Sequence, residues 1–130
     1  MSKTMPKAGE FCWNELMTSD PQKAKEFYKS LFGWDYEDHD MGHGTYTMIK
    51  AGDTGAGGLM QIPADKVGKI PPHWMSYVSV ENVDKFVEKA QSLGATITVP
   101  ATNVSDYGRF AVIADPTGAH IAFWQSLKSC

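Results

Sequence analysis

Cysteine is scarce in this chain, with two in 130 residues. Cys12 sits inside an apolar run and Cys130 at the extreme end, so they build no disulfide framework. A reducing cytoplasm is the expected compartment. Charge of one sign is also scarce. The formal net charge is −3, and the densest basic cluster is the scattered set Lys23, Lys25 and Lys29. That excludes nucleic-acid binding through a basic patch. No apolar run approaches the ~20 residues needed to span a bilayer. The opening Met-Ser-Lys-Thr-Met-Pro-Lys holds no apolar stretch of the kind a signal peptide needs. No membrane partner is therefore expected. The glycine-rich segment from Gly52 to Gly58 lacks a Lys and precedes a strand, so it is no phosphate loop. No Ser-His-Asp or Cys-His arrangement is supported. What remains, 42% hydrophobic and 21% charged residues, describes one ordinary globular domain.

The chain is written twice. Trp13 and Trp74 are 61 positions apart, and so are Gly33 and Gly94. Around each pair runs the same plan: an apolar strand, a short polar turn, an amphipathic helix ending in Gly, then three strand-like runs. A repeat of this length means two copies of one supersecondary unit that complete each other's core. Module one is expected at 9–62, a Pro-containing linker at 63–72 and module two at 73–126. The fold class is α+β, two tandem βαβββ modules whose curved mixed sheets surround a groove with the helices outside. A groove of this origin is where a ligand would bind.

Local chemistry places the elements. Asp20 is a good N-cap with Pro21 at the first helical position. Ala24, Phe27, Tyr28 and Leu31 fall on one helical face, the expected buried stripe. Gly33 closes that helix in the left-handed region. Trp34 to Tyr36 opens a second strand, and residues 39–44 read as a turn. Thr45 to Lys50 and Gly57 to Ile62 read as strands, the latter with two glycines that let another backbone or a ligand come close. In module two, Glu81 or Asn82 caps a helix with the stripe Val83, Phe86, Val87 and Ala90, which Gly94 ends. Strands are expected at His73 to Val80, at Ala95 to Val99 (ended by Pro100), at Arg109 to Ala114 and at His120 to Gln125. Asp115-Pro-Thr-Gly118 makes the last turn.

Two signatures carry a resemblance. One is Asp20-Pro-x-x-Ala24-x-x-Phe27-Tyr28-x-x-Leu31-Phe32-Gly33-Trp34, and the other is Asp115-Pro-Thr-Gly118-Ala119. With the element order, they make residues 9–126 similar to the vicinal oxygen chelate superfamily, and within it to bacterial glyoxalase/bleomycin-resistance-like proteins. Both signatures are scaffold, and neither specifies a reaction. The resemblance implies, in metal-dependent members, one ligand each from strands one, four, five and eight, holding a divalent ion as a Lewis acid. Those positions fall at Trp13, within Gly58 to Gln61, at Met75 and at Ala122. Trp and Ala cannot ligate, a thioether suits hard ions poorly, and in the strand-four stretch only Gln61 could donate, so at least three of the four expected ligands are missing. No metal ligand is therefore assigned and no cofactor is expected. A divalent ion on non-standard ligands stays open as the alternative.

Side chains alternate along a strand, so Trp13 shares a face with Glu15, Met75 with Tyr77, and His120 with Ala122 and Trp124. The candidate ligand-binding residues are Trp13, Glu15, Met60, Met75, Tyr77, Arg109, His120 and Trp124. Large aromatic and thioether side chains suit a flat organic ligand. Glu15, Tyr77 and His120 form a non-standard polar set, with solvated strand ends as the plainer reading of Glu15 and His120. Arg109 either meets solvent or holds an anion. His39 and His43 with Glu37, Asp38 and Asp40 make a crude metal-like cluster that reads more simply as a polar turn. His73 reads as a strand-end residue. Cys12 faces the helix side, while Trp34 and Phe110 read as core.

Three functions stay open. One is a metal-free protein that binds a small organic ligand. Another is a glyoxalase-like lyase, isomerase or dioxygenase with unusual metal ligands. The third is an interaction module plugged by its own aromatics. Superfamily members commonly pair, so a homodimer is expected.

Overall fold

The computed structural model describes residues 7–40, 44–104 and 107–127. Along these residues the order is β1 (Phe11–Thr18), α1 (Pro21–Phe32), β2 (Asp35–Asp40), β3 (Thr45–Ala51), β4 (Thr54–Gln61), β5 (His73–Ser79), α2 (Val83–Ser92), β6 (Thr96–Val104), β7 (Gly108–Ala114) and β8 (His120–Ser126). This is α+β, βαβββ twice. One compact unit runs from Trp13 to Met75, and the other takes Ser76 onward together with the N-terminal segment through Cys12. Backbone hydrogen bonds explain that grouping. Gly9 N–H donates to the Ser79 carbonyl and Ser79 N–H to the Glu10 carbonyl, both at 2.8 Å.

Within the first unit the strand order is β2-β3-β4-β1. β1 and β4 run parallel, and the other neighbours are antiparallel. α1 covers one face, where Ala24, Tyr28, Trp34 and Tyr36 pack on buried Leu16, Ile49 and Leu59. The second unit repeats the pattern as β6-β7-β8-β5, with β5 and β8 parallel. α2 packs Val83, Val87 and Ala90 against Val80, Ala111, Ile113 and Phe123. In each unit no helix among the described residues packs on the other face of the sheet.

The caps are where the local chemistry puts them. Asp20 Oδ1 accepts from the Lys23 N–H at 3.0 Å, and Asn82 Oδ1 from the Lys85 N–H at 3.1 Å. Gly33 closes α1 at φ +75°. Gln125 Oε1 also accepts from the Val83 N–H at 2.9 Å, tying the start of α2 to β8.

Several expectations are corrected. Phe27 and Leu31 do not belong to a buried stripe, for both are more than half exposed, and α1 contains no buried residue. His39 and Asp40 lie in β2, paired with Tyr46 and Thr45, rather than in a turn. Residues 41–43, with His43, and also Cys130, lie outside the described residues. β6 runs on through Pro100 to Val104, because the register shifts between Val99 and Thr102. A bulge on the outermost strand is a place where a proline costs no ladder hydrogen bond. The linker contains a 3-10 turn at Ala64–Lys66. No helix among the described residues is long and apolar enough to cross a membrane.

Candidate functional site

The helix-free face of the first unit is built from β1, β3 and β4. β1 pairs with β4 in the register Glu15–Gly58 and Met17–Met60. Leu16 and Leu59 go to the helix side, so alternation puts Trp13, Glu15, Gly58 and Met60 on the opposite face. Glu15 is buried there at 8% exposure. A buried carboxylate needs hydrogen-bonding partners, and here Tyr46 of β3 is one. Its hydroxyl donates to Glu15 and accepts from the Trp13 Nε1–H at 2.8 Å.

Two glycines make the arrangement possible. A Cβ on Gly58 would run into the Tyr46 hydroxyl, and one on Gly57 would strike the Asn14 carbonyl. Burial first, and then the negative charge of Glu15, push the Tyr46 hydroxyl well above its ordinary pKa. Tyr46 is therefore a neutral phenol, an O–H donor fixed beside a carboxylate. It is the functional candidate that sequence reasoning missed. The signal was faint: one Tyr in β3 and one doubled glycine in β4.

The second unit has an analogous arrangement without the carboxylate. Tyr77, at 8% exposure, pairs with fully buried Ala122 and meets the Phe110 ring at 6.4 Å between centroids. Trp124 stands opposite Phe110 and rests on Gly108, where an added Cβ would meet its indole. Phe110 thus lines the helix-free face instead of the core. Met75, assigned to the first unit, is buried at 8%. His120 is exposed at the start of β8, opposite Ala114.

Arg109 does not join these residues. It lies on the helix side, where its guanidinium forks onto Asp84 of α2 at 2.9 and 3.0 Å. A third bond, at 2.9 Å, goes to Asn103 Oδ1. Its parity with Ala111 and Ile113 puts it there. It holds α2 to the sheet and is not aimed at a ligand anion.

The other polar candidates are spoken for. His39 Nε2 lies 2.9 Å from Glu37, which also takes Lys50 at 3.0 Å. Asp38 accepts from Thr47 at 2.6 Å and Lys25 at 3.0 Å. His73 Nδ1 donates to the Pro71 carbonyl at 2.8 Å. Cys12 is half-buried, and burial pushes its thiol up.

Residues 11–123 match the family model of the Glyoxalase/Bleomycin resistance protein/Dioxygenase superfamily. The chain belongs to that superfamily. It is 36% identical over 129 residues to CFP32 of Mycobacterium tuberculosis, a protein that carries a glyoxylase name, covering 94% of this chain and 49% of that one. It is 28% identical to the anthracycline biosynthesis protein DnrV of Streptomyces peucetius, covering 90% and 47%. The chain thus spans about half the length of these relatives. Methylmalonyl-CoA epimerase from Mycobacterium tuberculosis has the same fold, with a TM-score of 0.64 at 18% identity over 97% of this chain and 93% of that one.

A divalent ion can now be tested against the superfamily positions of this member. β1 offers Trp13 and β4 offers Gly58 and Met60. Gln61, the one donor in that stretch, has the parity of Leu59 and faces the helix side. β5 offers Met75 and β8 offers Ala122. None of these four positions carries a side chain with a nitrogen or oxygen lone pair suited to a hard cation; the carboxylate on the same face, Glu15, is bonded to Tyr46. The β1 position is instead bonded to the Tyr46 hydroxyl, which lies against Gly58 of β4. Among the described residues no three His, Cys, Asp or Glu side chains are grouped to hold an ion. The side chains at these four positions do not fit a divalent ion.

Proposed function

We propose that this chain binds a flat aromatic small molecule on the helix-free faces of its modules, without the divalent ion that metal-dependent superfamily members use. The observation that carries this reading is the Trp13–Tyr46–Glu15 centre. It sets an aromatic surface and a hydroxyl fixed between Trp13 and Glu15 where metal-dependent members hold their ion. Trp13 and Tyr46 in the first unit, and Tyr77, Phe110 and Trp124 in the second, offer rings for stacking. The relationship to DnrV fits, since an anthracycline is a planar polycyclic aromatic carrying hydroxyl and carbonyl groups. The protein is further proposed to work as a homodimer in the cytoplasm.

An anthraquinone titration tests this. Tryptophan emission should be quenched and the melting temperature should rise. Trp13→Ala should weaken binding by about tenfold or more, as removal of a stacking anchor does, and should cost less in stability than in affinity. Equal losses of both would make Trp13 plain core. No response by the wild-type protein to any aromatic probe would defeat the reading. The glyoxylase name of CFP32 favours a second one, a lyase with a metal on non-standard ligands. Near-stoichiometric bound metal would replace the first reading with that one.

A further inference from the structure

The outer surface of α1 is an aromatic ridge that the other described residues leave in water. Phe27, Leu31 and Phe32 are 58, 57 and 57% exposed, and Trp74 beside them is 42% exposed. These rings are fixed in a packed series. Tyr28 meets Phe27 at 5.0 Å, Phe32 at 6.1 Å, Trp34 at 5.4 Å and Trp74 at 5.6 Å between centroids. Trp74 Nε1 also donates to the Tyr28 hydroxyl at 3.3 Å. A pre-ordered ridge loses little side-chain entropy when something covers it.

Its size can be compared with a known need. Aromatic side chains carry about 150–250 Å² each, so at these exposures Phe27, Phe32 and Trp74, together with the smaller Leu31, present roughly 400 Å² of apolar surface. A standard interface takes about 800 Å² from each partner, a little over half of it apolar. The ridge supplies nearly all of that apolar share. Two cations of the same helix are already neutralised, Lys25 by Asp38 and Lys29 by Asp35. That leaves Lys23, one turn before Phe27, as the cation of α1 for which no ion pair is seen among the described residues, and it sits at the end of the ridge where two copies can stagger past each other. The relatives show how much protein could cover it. This chain matches 49% of CFP32 and 47% of DnrV, so each has room for one more unit of this size.

We infer that the aromatic ridge of α1 is seated against a second copy of this chain, ridge to ridge about a two-fold axis. This rests on the pairing of chains proposed above and adds where the pairing occurs. The ridge lies on the helix side of the sheet, so pairing there leaves the Trp13–Tyr46–Glu15 face uncovered.

Sedimentation velocity of this chain from low to high micromolar concentration tests the inference, with circular dichroism and thermal melts as fold controls. Wild type should sediment as a dimer. The double variant Phe27→Lys/Leu31→Lys should sediment as a folded monomer. Phe32→Ser removes an exposed ring without adding charge, and should raise the dimer dissociation constant by about tenfold or more. It also keeps the test open should the lysine pair unfold the helix. A wild-type monomer throughout would overturn both this inference and the homodimer. A wild-type dimer that Phe32→Ser and the folded lysine variant leave intact would overturn the location alone.

Discussion

At the scale of single residues, Gly58 decides whether the candidate centre can exist. An added methyl there meets the Tyr46 hydroxyl. Gly58→Ala should expel the ring and break its bonds to Trp13 and Glu15, leaving a buried carboxylate short of a partner. The expected cost is about 2–3 kcal/mol in denaturant unfolding. Gly33→Ala is the control. It meets no neighbour within 4 Å and suffers only the strain of φ +75°, about 1–2 kcal/mol. If Gly58→Ala proved the milder of the two, Tyr46 would not be held as described. Tyr46→Phe removes the oxygen and keeps the ring. It should cost about 1–3 kcal/mol and weaken binding of a hydroxylated anthraquinone more than that of plain anthraquinone. Equal weakening of both probes would mean that the hydroxyl makes no contact with the ligand.

At the scale of elements, several tethers are carboxylates with depressed pKa values. Asp115 is lowered by the Thr117 hydroxyl and then by the backbone N–H groups of Thr117 and Ala119. Asp38 is lowered by Thr47 and Lys25, Glu37 by Lys50 and His39, and Asp84 by Arg109. A carboxylate whose folded pKa lies below its unfolded value stabilises the fold above that unfolded value, near 4. The contribution drains away as pH falls through the folded value. These groups should hold the melting temperature level from about pH 8 to 5 and let it fall below about pH 4. Asp115→Ala should lower it at neutral pH and make the acid-side fall shallower, and an unchanged acid profile would show that this turn is not a tether. Arg109→Ala should lower the melting temperature by releasing α2, yet leave ligand affinity unchanged. Loss of affinity in a fully folded variant would put Arg109 back at the site. The elements themselves were legible where their cause is local: a side-chain cap at Asp20 or Asn82, a glycine at the end of α1. They were not where the cause is distant. Periodicity shows which side of α1 is apolar, but not that Phe27 and Leu31 lack a cover. The acidic run Glu37 to Asp40 resembles a turn until β3 supplies its partners. Tyr46 has no motif of its own, since its meaning comes from Gly58 and Trp13, residues far from it in the chain.

At the scale of the molecule, duplication lets the two modules diverge while the scaffold stays. Both keep the same strand order and the same parallel pair, Glu15–Gly58 in one and Tyr77–Ala122 in the other. In each pair a hydrogen-bonding side chain lies beside a residue too small to reach it, and nearby an aromatic ring closes over a glycine: Tyr46 of β3 over Gly58 of the first pair, and Trp124 of β8 over Gly108 of β7 in the second unit. Metal-dependent superfamily members draw donors from this part of the scaffold. Here Gly58 and Ala122 can donate nothing, Trp13 is committed as a hydrogen-bond donor, and Met75 offers only a thioether. Purified protein incubated with zinc, nickel, iron(II) or manganese and then freed of loose ions should retain far less than one ion per chain by elemental analysis. Glu15→Gln should leave that figure where it is, because Glu15 serves Tyr46 and not a cation. An ion retained at one per chain and lost in Glu15→Gln would show that the carboxylate changes partners when metal is supplied, and Tyr46 would then be guarding a metal site instead of replacing one.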